Sequence, residues 1–306
     1  MADFFRRLKK AELHVHLEGS IRPATLCKIA PGLSVAEVEE RYRFQDFAGF
    51  IESYKWVTRQ LTDPGHYALA ARALLAELAS HTVDYAEINL SVGVILWKQQ
   101  DVAAIYDAVS REGKSHGVAL GWVFDAVRQF GPEDAMRVAE LAAERVGDGV
   151  VAFGLGGDES RYETQEFQQV FAFARRSGLR ITTHAGETTN AKSVWGAVEL
   201  GAERIGHGIR SVDDPALIRY LRDHSIPLEV CISSNVATGA AASLESHPVR
   251  RLYDAGVPIT LNTDDPALFH TDISREYQIA STAFNFSDRE IEGLAAAGFR
   301  YAFRRS

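Results

Sequence analysis

Cysteine is scarce: Cys27 and Cys231 are the only two in a chain of 306 residues. Two such distant thiols form neither a disulfide framework nor a Cys-x-x-Cys metal clamp, which fits a reducing compartment. Long basic runs are missing as well, and 33 basic against 41 acidic residues leave a net charge of −8. Nothing there could track a phosphate backbone, so nucleic acid is excluded as the main partner. No apolar run approaches the ~20 residues of a membrane-spanning helix. The first ten residues carry charge but no apolar signal core, so the expected setting is the cytoplasm, with no membrane partner. No Gly-x-Gly-x-x-Gly follows the first strand, which counts against a dinucleotide-binding open sheet. Linkers and low-complexity segments are absent too. What is present is ordinary for a globular protein: 46% apolar and 24% charged residues, ample for a large core. A single domain over residues 1–306 is expected, a length common among barrels.

The chain alternates between two periods. Residues 12–17 alternate apolar and polar, placing Leu13, Val15 and Leu17 on one face and His14 and His16 on the other. Helices follow at Pro23 to Ala30, from the N-cap candidate Ser34 to Tyr42, and over an aromatic-rich stretch containing Phe47, Phe50, Ile51, Tyr54 and Trp56. Asp63-Pro64 opens a further helix. Strands are then expected at 83–90, 118–124, 150–155, 179–183, 204–206, 227–231 and 257–261, with helical patterns between them and two helices after the last, near 274–284 and 288–303. Eight strands, each followed by a helix, spell a (β/α)8 TIM barrel with extra helices after the first strand and at the C-terminus. A doubly wound open sheet is the second choice.

Such barrels gather their chemistry at the C-terminal ends of the strands. Strand one ends in His14 and His16, whose shared face suits zinc or a similar cation. Strand four runs into the glycine-rich turn Gly154 to Glu159. Strand five ends in Thr183-His184-Ala185-Gly186-Glu187, strand six in Gly206-His207-Gly208, and strand eight in Asn262-Thr263-Asp264-Asp265-Pro266. Each has an ordinary alternative taken singly: a satisfied core histidine, a helix cap, a solvated carboxylate, a packed aromatic stripe. Their joint placement at one mouth favours a divalent metal site with acid–base groups beside it.

These motifs, in this order and at these intervals, resemble the adenosine deaminase family, as does the segment Leu228 to Asn235; the resemblance runs from about residue 10 to about 303. It implies that His14, His16, His184 and Asp264 bind one zinc or another divalent transition ion. It further implies that Glu187 shuttles a proton to purine N1, that His207 orients and activates an attacking zinc-bound hydroxide, that Asp265 holds that hydroxide and meets N7, and that the Gly157 amide meets N3. His16 and the gate formed by Phe50, Ile51 and Tyr54 would line the substrate pocket. The implied reaction is hydrolytic deamination of a 6-aminopurine nucleoside, adenosine first, to the 6-oxo purine and ammonia.

The departure is Glu18, where adenosine deaminases proper usually carry Asp. That residue is expected at the pocket mouth facing the sugar, and the change opens two alternatives: adenine, and 6-amino-6-deoxyfutalosine, a menaquinone precursor with a large 5′ substituent. Other classes fit less well. Binuclear hydrolases on this barrel need a lysine at the end of strand four, where this chain has glycines, and the cytidine-deaminase type needs a Pro-Cys-x-x-Cys clamp. A non-catalytic binding protein on the same scaffold would have lost Glu187 or a ligand, and none is missing.

Overall fold

The structure, a computed structural model, describes residues 2–113 and 117–304. Eight parallel strands run in sequence order around the sheet: β1 (Lys10–His16), β2 (Val83–Leu90), β3 (Ala119–Val127), β4 (Val150–Gly156), β5 (Arg180–Ala185), β6 (Arg204–His207), β7 (Leu228–Val230) and β8 (Ile259–Leu261). Helices cross between successive strands, so the TIM barrel and its extra helices after β1 and at the C-terminus are as expected. The strands are short, apolar and buried because helices cover their outer faces. The main core packs Val15, Ile88, Phe124, Phe153, Ile181, Ile205, Val230 and Leu261 under that helical ring.

The helix starts are set by caps legible in the sequence. Ser34 and Glu37 form a reciprocal capping box, and the carboxylates of Asp46, Asp63 and Asp214 accept first-turn amides of the helices Phe47–Gln60, Pro64–Ser80 and Pro215–Asp223. The helical pattern expected between 150–155 and 179–183 is a 3-10 turn (Thr164–Phe167) leading into the helix Gln168–Arg176. A short helix at Val92–Trp97, directly after β2, lacked enough periodicity to be read beforehand.

The first strand departs from simple alternation. One extra residue of β1 lies between its pairings at Glu12 and Val15, so a bulge separates Leu13 from Val15 and Leu17. Leu13 packs with Ala11 and Tyr85 against Phe299 and Tyr301, whereas Val15 and Leu17 join the main core. His14 within the bulge and His16 beyond it stay together, their rings 5.3 Å apart.

No continuous ladder joins β8 to β1; one bridge pairs Val15 with Asp264. The His16 amide donates to the Asp264 carbonyl at 2.7 Å, and the Asp264 amide donates to the His14 carbonyl at 3.0 Å. Side chains complete the seam: Leu13 N–H donates to Asn262 Oδ1 at 2.8 Å, and Thr263 N–H donates to Glu12 Oε1 at 3.0 Å. Among the described residues, no helix is long and apolar enough to cross a membrane.

Candidate active site

Strand ends from β1, β5, β6 and β8 bring four imidazoles around one carboxylate. The rings of His14 and His184 lie 4.5 Å apart, and those of His14 and His207 5.1 Å apart. His16 and His184 are separated by 5.4 Å. Asp264 Oδ1 lies 3.4 Å from His14 Nε2 and 3.3 Å from His16 Nε2. His207 and Asp264 both adopt left-handed backbone conformations, with φ of 59° and 64°. For residues with a Cβ that strain costs about 1–3 kcal/mol each, and it is characteristic of positions that aim a functional group.

Small residues make the room. A Cβ on Gly206 would come within 2.9 Å of the His14 ring, and one on Gly154 within 2.6 Å of Asp125. At Gly19 a Cβ would overlap Asp265 at 1.6 Å, so the turn after β1 is glycine because Asp265 occupies that space. The glycines of β4 thus serve neighbouring side chains as well as any ligand.

The electrostatics divide the groups by task. His16 is held neutral, pushed down to about 3 by burial and by His14 and His207 nearby; His184 lies well below its usual range for the same reasons. Burial also lowers His14, but the carboxylates of Asp264 and Glu229 beside it prevail and raise it to about 10. Glu187 is pushed well above the carboxylate range by burial and the charges of Asp264 and Glu159. Asp265 is raised likewise by burial and Asp264. Two carboxyls kept protonated beside His16 and His184 kept neutral make a poised acid–base set.

Donor chemistry and unpaired atoms both suit a divalent cation. His14 Nδ1 donates to Glu229 Oε2 at 2.8 Å, which leaves Nε2 facing inward as the nitrogen a cation would take in place of a proton. That Nε2, His207 Nε2 and Asp265 Oδ1 are buried with no hydrogen-bond partner among the described residues. Two compact groups meet at Asp264: His14, His184 and His207 with it on one side, His16 and Asp265 on the other. The four ligands expected from the sequence all belong to this double cluster.

A cavity of about 390 Å³ opens from these groups. His16, Gly157, His184, Glu187, His207, Asp264 and Asp265 line its depth, and Phe50, Ile51 and Tyr54 one wall. Phe50 also packs on Phe269, with ring centroids 4.9 Å apart, so the gate helix is core and lining at once. Glu18 is not at the mouth. It is buried behind Tyr54 and Ser91, accepting from the Ser91 amide at 3.1 Å and the Tyr54 hydroxyl at 3.3 Å. The chain after β1 folds at once into the 3-10 turn Glu18–Ser20, which turns this carboxylate away from the cavity.

Several participants were not foreseen. Asp125, near the end of β3, lines the cavity with Oδ1 unpaired and its carboxyl raised to about 8 by burial and the charges of Glu18 and Asp264. Glu159 clamps the loop bearing Glu187, accepting from the amides of Gly186 and Glu187 at 2.8 Å and from the Ser193 hydroxyl at 2.7 Å. Trp97 stands 62% exposed at the mouth, stacked at 19° on Phe130. Asp125 did carry a signal: a lone acid inside an otherwise apolar strand.

Comparison with known proteins identifies the family. The sequence model described as Adenosine deaminase matches residues 9–306. The chain belongs to the adenosine deaminase family. Among curated relatives, an aminodeoxyfutalosine deaminase of Streptomyces avermitilis is 39% identical, over 98% of this chain and 88% of its own length. An adenine deaminase of Sinorhizobium medicae is 38% identical, over 97% of this chain and 94% of its own. Among solved structures, a Burkholderia ambifaria amidohydrolase with bound zinc superposes with a TM-score of 0.92 at 25% identity, covering 99% of this chain and 88% of that one. The family membership makes the protein a deaminase-type hydrolase.

Proposed function

We propose that this protein hydrolytically deaminates a 6-aminopurine that carries a substituent at N9, giving the 6-oxo purine and ammonia. One observation carries the choice of substrate: the cavity runs from the acid–imidazole cluster out to the Trp97–Phe130 stack, a volume in the range that encloses drug-sized ligands and more than a bare base requires. His14, His16, His184 and Asp264 would hold one divalent ion, zinc by donor type. When bound, such an ion supplies a Lewis acid that lowers the pKa of water to ~7. Glu187 arrives protonated and gives its proton to the ring nitrogen beside the reacting carbon, making that carbon electrophilic. Asp265 and His207 face the same spot and orient the incoming oxygen, and Gly157 brings backbone close to the base. Phe50, Ile51 and Tyr54 exclude water from above.

The aromatic mouth favours a nucleoside extended at its 5′ position, the class named for the Streptomyces relative, ahead of adenosine. Free adenine is the second reading, because Glu18 is sealed behind Tyr54 and Ser91 and offers a ribose nothing. Ammonia release from adenine, adenosine and aminodeoxyfutalosine separates them. The extended nucleoside should show the highest kcat/KM, and Trp97→Ala should raise its KM while leaving adenine unaffected. Adenine turned over far faster than either nucleoside overturns the substrate while leaving the deamination intact.

A further inference from the structure

His207 stands at the end of a buried hydrogen-bond chain that begins at a backbone amide. The Val249 N–H can only donate, and it points at His247 Nδ1 at 3.2 Å. That nitrogen must therefore accept, which places the His247 proton on Nε2. His247 Nε2 lies 3.1 Å from Asn235 Oδ1, the acceptor end of the amide. The donor end, Asn235 Nδ2, then lies 3.0 Å from His207 Nδ1, which must accept in turn. His207 is left with its proton on Nε2. Asn235 and His247 are fully or nearly fully buried, so water does not compete for these bonds.

The other side of the ring agrees. His207 Nε2 is buried without a hydrogen-bond partner and looks toward Glu187 Oε2 at 3.7 Å and Asp264 Oδ2 at 3.9 Å. An N–H there meets the Asp264 carboxylate with the right polarity, whereas a lone pair would meet it in repulsion. His14 has the opposite arrangement, with Nδ1 engaged by Glu229 and Nε2 left facing inward for a cation.

We propose that Asn235 and His247 are positioning residues that lock His207 in its Nε2–H form, so that it meets the reacting centre as a hydrogen-bond donor and not as a cation ligand. Geometry alone leaves this open, since His207 sits as compactly with His14, His184 and Asp264 as a ligand would. The relay decides it, because a nitrogen that carries a proton has no lone pair to give. The pair also explains why a polar asparagine and a histidine are kept in the dry interior between the helices Ile232–Ala237 and Val249–Asp254. The kinetic part of the proposal rests on the deamination reading; the tautomer itself does not.

Long-range ¹H–¹⁵N correlation on histidine-labelled protein reads the tautomer directly, with the His207 signals assigned from their loss in His207→Gln. An unprotonated Nδ1 and a protonated Nε2 are expected; protonation at Nδ1, or Nε2 displaced by added zinc as a ligand is, overturns the proposal. Asn235→Leu and His247→Leu should lower kcat roughly 10- to 100-fold with KM and bound metal unchanged. His247→Gln, whose amide can still accept from Val249 and donate to Asn235, should recover most of that loss. Loss of metal in Asn235→Leu, or equal kinetics in His247→Leu and His247→Gln, means that the pair merely fills space. If no aminopurine is turned over, the deamination reading fails while the nuclear resonance result still judges the tautomer.

Discussion

Single residues in this site are defined by what surrounds them. Burial and the charges of Asp264 and Glu159 keep the proton on Glu187, against the opposing pull of His14. Glu187→Gln should therefore leave metal content and the unfolding midpoint intact and cut turnover by ~10²–10⁴, the usual worth of a general acid; steady-state kinetics beside elemental analysis checks both. The buried imidazoles bear on stability as well. Burial and the adjacent His207 depress His247 to about 3, against 6.5 for the free side chain. Between those values the unfolded chain binds a proton that the folded chain refuses. Stability is therefore fully present above about pH 6.5 and declines as pH falls toward 3, by up to roughly 1.4 kcal/mol per pH unit for each such histidine. Urea midpoints measured from pH 7.5 down to pH 4.5 should show that decline, and His247→Gln should make it shallower. The sequence announced His14, His16, His184 and His207 because each ends a strand. It gave no notice of Asn235 or His247 as a pair, because their meeting depends on how the chain from Ile232 to Asp254 packs, which no local period encodes.

Strands and helices place these residues through a charged core that was only half legible. Arg204 at the start of β6 pairs with Glu87 of β2 and Glu229 of β7, and Glu229 in turn holds His14. The carbonyl of Tyr301 accepts from the same guanidinium at 3.0 Å, which also lies 3.5 Å over the Phe303 ring. Three ionised groups in the dry barrel are tolerable only because each is matched; burial would raise Glu229, but Arg204 and His14 bring it down to about 2. Removing the cation alone strands two carboxylates, so Arg204→Ala should cost about 3–5 kcal/mol by urea unfolding. Arg7→Ala should barely move the midpoint, because its pair with Asp3 stands 80% and 67% exposed. The strand order was readable from eight apolar runs, but the charges of Glu87, Arg204 and Glu229 within them were not. Which charge meets which was hidden, because Glu87 and Arg204 are 117 positions apart and only barrel curvature brings them together. The bulge in β1 was equally hidden: it is defined by the partner strand and not by the alternation of Leu13 to Leu17.

At the scale of the whole molecule the proposed ligands come from both ends of the strand order, His14 and His16 from β1 and Asp264 just after β8, with His184 from β5 between them. One divalent ion per chain is expected by elemental analysis, and His16→Ala should lose it together with activity; two ions per chain, or full turnover without any, would contradict this site. Where β8 meets β1, the amides of Leu13 and Thr263 are held by the side chains of Asn262 and Glu12 and not by a strand ladder. Any transient parting of the ring along that line pulls Asp264 from the histidines in the same event. Deuterium uptake at Leu13 and Thr263 therefore counts how often the ligand set falls apart. An ion that binds only the closed ring suppresses such openings by ~2.7 kcal/mol at a hundredfold excess over its Kd. Uptake at these two amides should slow about a hundredfold with metal, while amides on the far side of the barrel, such as Val123 and Phe124, change less. The barrel's least regular join is thereby its gauge of occupancy.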